Sequence, residues 1–168
     1  MFFGGIGTDI ELYHDSKYGN GARVAEEFKR LMEGEGSKVN IHHLRESSPK
    51  GLPTADLYVF GSPTHFGKAT RGMVHFVKKL ELPPGTKYAV FGTFSGAAPD
   101  KKTGKMPPQE ELEKWRRTIP MIDEKLKAKG MSKVAEMSVF VKPENLKGPL
   151  EEGWQKTVEV FVEAILGR

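Results

Sequence analysis

The 168-residue sequence contains no cysteine. That absence excludes a disulfide framework, a thiolate metal site and a cysteine nucleophile, and it agrees with a reducing, cytoplasmic setting. No apolar run approaches the roughly 18 residues that a membrane-spanning helix needs. The opening MFFGGIGTD lacks the basic segment and the apolar length of a secretory signal, and residues 1–9 read as a flexible N-terminal extension. Tryptophan occurs twice, and basic stretches are not interleaved with aromatic residues as in a nucleic-acid-binding module. Charge of neither sign dominates: 26 Lys and Arg face 22 Asp and Glu, a net charge of +4. So mild an excess permits an anionic partner without requiring one.

What is present is an alternation of β-type runs and amphipathic helical patterns over one domain, residues 1–168. Ile10–Asp15 reads as a short strand. From Asn20, the apolar positions Val24, Phe28, Leu31 and Met32 mark one helix face, which stops at the cap-forming Gly34 and Gly36. Lys38–His43 alternates weakly, as a strand near a sheet edge does. Asp56–Ser62 and Lys87–Thr93 are short apolar runs suited to strands buried on both faces. Between them Met73, Phe76, Val77 and Leu80 give the next helix. Ser95–Pro108 is a long loop. A helix through Leu112, Trp115, Ile119, Ile122 and Leu126 follows, with Pro120 expected to kink it. Val134–Val141 is the last strand, and Trp154, Val158, Phe161, Val162 and Ile165 line the closing helix. Five strands with helices between them predict an α/β fold, a doubly wound parallel sheet with helices on both faces. In such sheets a ligand sits beyond the carboxyl ends of the strands, at a topological switch point. The loops concerned are residues 16–21, 62–68 and 93–98.

Each of these loops has its own chemistry. Ser16, Lys17, Tyr18, Gly19, Asn20 and Gly21 join a strand to a helix, where successive amides and the helix dipole form an anion site and glycine lets backbone approach closely. Pro63, Thr64, His65, Phe66 and Gly67 combine an aromatic, a small hydroxyl and a glycine. They could hold a flat ring, with Phe66 against it and the Gly67 peptide free to meet a ring nitrogen. Thr93, Phe94, Ser95, Gly96, Ala97 and Ala98 are mostly small, so that amides there could reach a ring carbonyl. Read singly, each loop is equally compatible with an ordinary turn.

Taken together, DSKYGN before an amphipathic helix, ADLYVFGSPTHFGK, and the small-residue loop after FGTF resemble the flavodoxin-like FMN proteins. The similarity extends to multimeric flavodoxin-type NAD(P)H:quinone oxidoreductases, and it runs from about Ile10 to the final helix. It implies a five-stranded sheet of order 2-1-3-4-5 with FMN at the switch point between strands one and three. By position, the resemblance makes residues 16–21 the phosphate loop, 63–67 the isoalloxazine loop and 93–98 the third wall. Many family members close the phosphate loop with Thr where this chain has Gly21, so one hydroxyl donor is missing.

Other signals are weaker. Gly61 to Ala69 departs from a P-loop, with five residues between its glycines and Ala69 where Mg²⁺ binding needs Ser or Thr. His42 and His43 are adjacent on a strand and point to opposite faces, a poor geometry for one metal ion. His65 reads as a wall residue of the ring loop. Lys101, Lys102 and Lys105 make the long loop basic. Three functions are expected. The first is electron transfer through noncovalent FMN, with a redox partner protein. The second is an NAD(P)H:quinone oxidoreductase, with residues 94–133 building a wall or a homo-oligomer interface. The third is a flavodoxin-like domain that binds FMN weakly or not at all and acts through partner contacts.

Overall fold

The computed structural model describes residues 7–145 and 147–168. The strands are β1 (Asp9–His14), β2 (Lys38–His43), β3 (Leu57–His65), β4 (Lys68–Ala69), β5 (Lys87–Ser95) and β6 (Ser132–Val141). The helices are α1 (Asn20–Gly34), α2 (Arg71–Lys79), α3 (Gln109–Lys114), α4 (Thr118–Ala128) and α5 (Trp154–Leu166), with a 3₁₀ turn at Leu44–Glu46. The five long strands are parallel in the order β2-β1-β3-β5-β6, and β4 pairs antiparallel with β3. Setting aside the two-residue β4, this is the expected 2-1-3-4-5 order.

Period-two alternation divides the core between the two faces. Ile10, Leu12, Leu57 and Val59 point to the side covered by α1 and α5, where Phe28 and Phe161 meet at 5.6 Å. Tyr13, Tyr58 and Phe60 point to the side covered by α2 and α4, against Met73, Phe76, Ile122 and Leu126. Each fully buried ring or branched chain contributes about 1.5–3 kcal/mol. Gly61 leaves room for a neighbour: a Cβ there would lie 2.1 Å from Cζ of Phe91. The Phe91 ring therefore occupies the space a side chain at position 61 would take.

Several boundaries differ from the sequence expectation. β3 runs three residues past Ser62 and β5 two past Thr93, so parts of two predicted loops are strand. The helix expected through residues 112–126 is two helices, α3 and α4, parted at Trp115–Arg117. The break comes upstream of Pro120, because the Arg117 amide donates to the Gly67 carbonyl (2.8 Å). Pro120 lies in the first turn of α4, where an N–H has no intrahelical partner to lose, so it does not kink the helix. Residues 1–6 of the predicted extension lie outside the described residues. Gly7–Asp9 are tied down, with Lys38 N–H donating to Thr8 O (2.8 Å) and Asp9 N–H to Asp56 Oδ2 (2.8 Å). No described helix is long and apolar enough to cross a membrane.

Candidate functional site

The carboxyl ends of β1, β3 and β5 open into one cleft. At the end of β1, the Asp15 amide donates to Gly61 O (3.1 Å) and the chain turns into the loop before α1. Gly19 is left-handed (φ 93°), a conformation glycine adopts without penalty, and its amide donates to Ser16 Oγ (3.1 Å). No side chain caps α1, and no acidic residue occupies its first turn. Among the described residues no acceptor meets the amides of Lys17, Tyr18, Asn20 or Gly21. The amino end of a 15-residue helix, with its partial positive charge, is thus open to an anion. Lys17 Nζ stands 3.8 Å from Asp15 Oδ1, and Asp15 in turn accepts from Thr70 Oγ1 (2.5 Å) at the amino end of α2. Thr70 is also the cap of α2, accepting from the Met73 amide (3.1 Å).

The second loop is a hairpin. His65 pairs with Lys68 across a two-residue turn in which Phe66 (φ 52°) and Gly67 (φ 77°) are both left-handed. A tight turn of the right twist requires two left-handed central residues. Phe66 is the one non-glycine residue with positive φ among the described residues, and it is 91% exposed. Behind the turn stands the α3–α4 junction, so close that a Cβ on Gly67 would lie 2.9 Å from Trp115 Cα. Of the Gly67 peptide groups, expected to meet a ring nitrogen, the carbonyl accepts from the Arg117 amide (2.8 Å). Thr64 and Thr118 share a hydroxyl–hydroxyl bond of 2.6 Å that ties β3 to α4.

In the third loop Thr93 and Phe94 belong to β5 and are buried, and Phe94 packs on Phe140 at 5.9 Å. The Gly96 amide donates to Val141 O (2.8 Å), extending the β5–β6 pairing, so it is not available to a ring carbonyl. Ala97 and Ala98 follow it along the same wall.

The three loops bound a cleft of about 640 Å³ between Phe66, Gly67 and residues 95–98, lined also by Tyr18, Thr64, His65 and Phe94. An adjoining pocket of about 30 Å³, which shares Tyr18, Thr64, His65, Phe94 and Ser95 with the cleft, reaches Ser16, Lys17, Asn20 and Gly21 past Pro63 and Thr93. Every predicted site residue lines one part or the other except Gly19, which lies within the loop. Five lining residues were missed: Pro107, Leu112, Trp115, Arg116 and Val141. Trp115 matched the apolar spacing of a helix, yet it is 58% exposed on the cleft wall. Periodicity cannot separate one long helix from two short ones. Lys147, on the segment between β6 and α5, also went unread; its Nζ lies 5.8 Å from the Tyr18 ring centre. The basic loop is an ordered turn in which Asp100 Oδ1 accepts from the amides of Lys102 and Thr103 (both 2.8 Å).

A sequence profile of the flavodoxin family matches residues 12–153. The chain belongs to the flavodoxin family. Proteins of this family bind FMN. Among solved structures, flavodoxin 2 of Bacillus cereus superposes with a TM-score of 0.71 at 19% identity, covering 93% of this chain and 96% of that one. A short-chain flavodoxin associated with a bacterial microcompartment gives 0.71 at 17% identity, covering 95% and 97%. Rubredoxin:oxygen oxidoreductase of Desulfovibrio gigas gives 0.70 at 14% identity, and this chain spans only 35% of its length. At such identities the likeness is one of fold. No curated protein matches in sequence.

The residues present fit FMN. A phosphate asks for unpartnered amides at a helix start, and the loop before α1 supplies them. A flat ring asks for an apolar slot, and ligand clefts range over about 300–1,000 Å³. The one departure is Gly21, where a methyl would stand 3.3 Å from Ser16 Cβ, a tight contact, so α1 lies closer to Ser16 than a side chain there comfortably allows.

Proposed function

We propose that this chain binds FMN noncovalently in the cleft and serves, as a single cytoplasmic domain, in electron transfer. In this reading the phosphate lies on Ser16–Gly21, with Lys17 and Lys147 adding positive charge, and the ring lies between Phe66 and residues 95–98. The observation that carries it is the continuity of the cleft from the uncapped start of α1 to the exposed aromatic rim of Tyr18, Phe66 and Trp115. Bound FMN supplies reversible electron uptake, which the side chains lining this cleft do not provide. The protein's part is to hold and orient it. The Thr64–Thr118 bond fixes the slot and Phe66 shields one face from water, while the amides of Ala97 and Ala98 are the available donors on the third wall. The test is retention: protein mixed with FMN and then desalted keeps yellow flavin absorbance in about equimolar amount. A colourless product refutes the cofactor assignment and leaves the reading of a domain acting through partner contacts.

A second reading, an FMN-dependent NAD(P)H:quinone oxidoreductase, is favoured by the wall that Trp115 and Arg116 raise from within the same chain on a cleft of about 640 Å³. The net charge of +4, with Lys101, Lys102 and Lys105 close in sequence to Pro107 on the rim, suits an anionic nicotinamide nucleotide or an acidic redox protein. Holoprotein that oxidises NAD(P)H with a quinone faster than free FMN is the enzyme. Holoprotein without that turnover, taking up electrons singly in a coulometric titration, is the carrier.

A further inference from the structure

The backbone of Ser16 is held on both sides, at its N–H and at its carbonyl, by imidazoles from neighbouring strands. His14 and His43 are register partners of β1 and β2. The Ser16 amide donates to His14 Nδ1 (3.2 Å), and His43 Nε2–H donates to the Ser16 carbonyl (2.9 Å). His43 Nδ1 accepts from the Arg45 amide (3.2 Å), which sets its tautomer so that Nε2 carries the proton. The two rings meet edge to face at 5.0 Å. Ser16 passes this order on, because its Oγ accepts from the amide of left-handed Gly19 and the Gly19 carbonyl accepts from Arg23 N–H (3.0 Å) in the first turn of α1. The chain of bonds runs from β2 and β1, through one serine, to the helix start.

His14 can play this part only as a neutral acceptor. It is 6% exposed, and burial pushes its pKa down to about 4. His43 and Arg45 act in the same direction and Asp15 against it, while the first turn of α1 brings no acidic residue. The acceptor therefore stands throughout the neutral range.

We infer that His14 and His43 are positioning residues for the phosphate cradle, and that this clamp on the Ser16 peptide gives the protein its preference for FMN over riboflavin, the same flavin without phosphate. The inference rests on the FMN reading above. With Ser16 unclamped, the peptide units on either side of it can rotate, and the amides after it then lose their fixed orientation at the start of α1. Only the phosphate end of the ligand senses the change.

Wild type, His14→Leu, His14→Asn and His43→Leu are each titrated with FMN and with riboflavin at pH 7.5, and the ³¹P shift of bound FMN is recorded. His14→Leu should weaken FMN about fivefold to twentyfold, the scale of one lost hydrogen bond, and leave riboflavin within about twofold. Its ³¹P signal should move towards that of free FMN. His14→Asn, whose amide Oδ1 stands where Nδ1 does and accepts without titrating, should restore both. His43→Leu reports on the other end of the clamp if His14→Leu does not fold. Equal weakening of FMN and riboflavin, or a wild-type ³¹P signal in the Leu variants, overturns the inference. Wild-type protein that binds neither flavin overturns the FMN reading instead.

Discussion

Phe66→Asn should make the protein more stable and a poorer flavin binder. Phe66 sits at the first central position of the β3–β4 turn with φ 52°, and a left-handed conformation costs an ordinary side chain about 1–2 kcal/mol. Asn adopts it more readily, and Asn-Gly is a preferred pair for a turn in which both central residues have positive φ. The loss on the other side is small. With 91% of Phe66 exposed, only about a tenth of a burial worth about 1.5–3 kcal/mol is forfeited, roughly 0.2 kcal/mol. The net gain is about 1 kcal/mol, a rise of about 2–4 °C in Tm for a chain of this length. FMN should bind about twofold to twelvefold more weakly, since an aromatic contact is worth about 0.5–1.5 kcal/mol beyond its buried area. Urea melts of the apoprotein and flavin fluorescence titrations read the two effects separately. Phe66→Tyr should change neither by much. An apoprotein destabilised by Asn would show that the turn carries no strain, and unchanged FMN affinity would remove Phe66 from the ring.

Three further outcomes are expected. His14 stays neutral in the fold down to about pH 4, whereas the unfolded chain takes up that proton near pH 6.5. Apoprotein stability should therefore fall as pH drops through that window, by up to about 3 kcal/mol, and His14→Asn should flatten the fall in urea melts; parallel curves would refute the shift. In Trp154→Phe the sole remaining indole is Trp115 on the cleft wall. FMN should quench most of that emission, and unquenched fluorescence would put the ring elsewhere. At position 21 a methyl must press on Ser16 Cβ, while a Thr hydroxyl adds a donor. Gly21→Thr should thus bind FMN more tightly than Gly21→Ala, by about tenfold for one bond to a charged group. Equal affinities would mean that position 21 does not face the phosphate.

The sequence by itself determined the layers and the places of the loops. Val24, Phe28 and Met32 recur at helical spacing because one face of α1 must pack on the sheet, and the apolar runs of β3 and β5 are what burial on both faces demands. Such signals depend on neighbours a few residues apart, so they survive without knowledge of the fold. The opposite faces of His42 and His43 were legible for the same reason: His42 turns to Glu11, His43 to Ser16. What only the tertiary structure decided depends on residues far apart in the chain. Arg117 gives its amide to Gly67 across 50 residues, and that diverted bond splits α3 from α4 and turns Trp115 outward. The spacing of Trp115 from Leu112 and Ile119 could not reveal this. Strand register set His14 beside His43, and the segment after β6 carried Lys147 over Tyr18. With no cysteine the chain has no thiol redox couple, a fact of composition, whereas the cleft between Phe66 and residues 95–98 exists only once the strands are assembled.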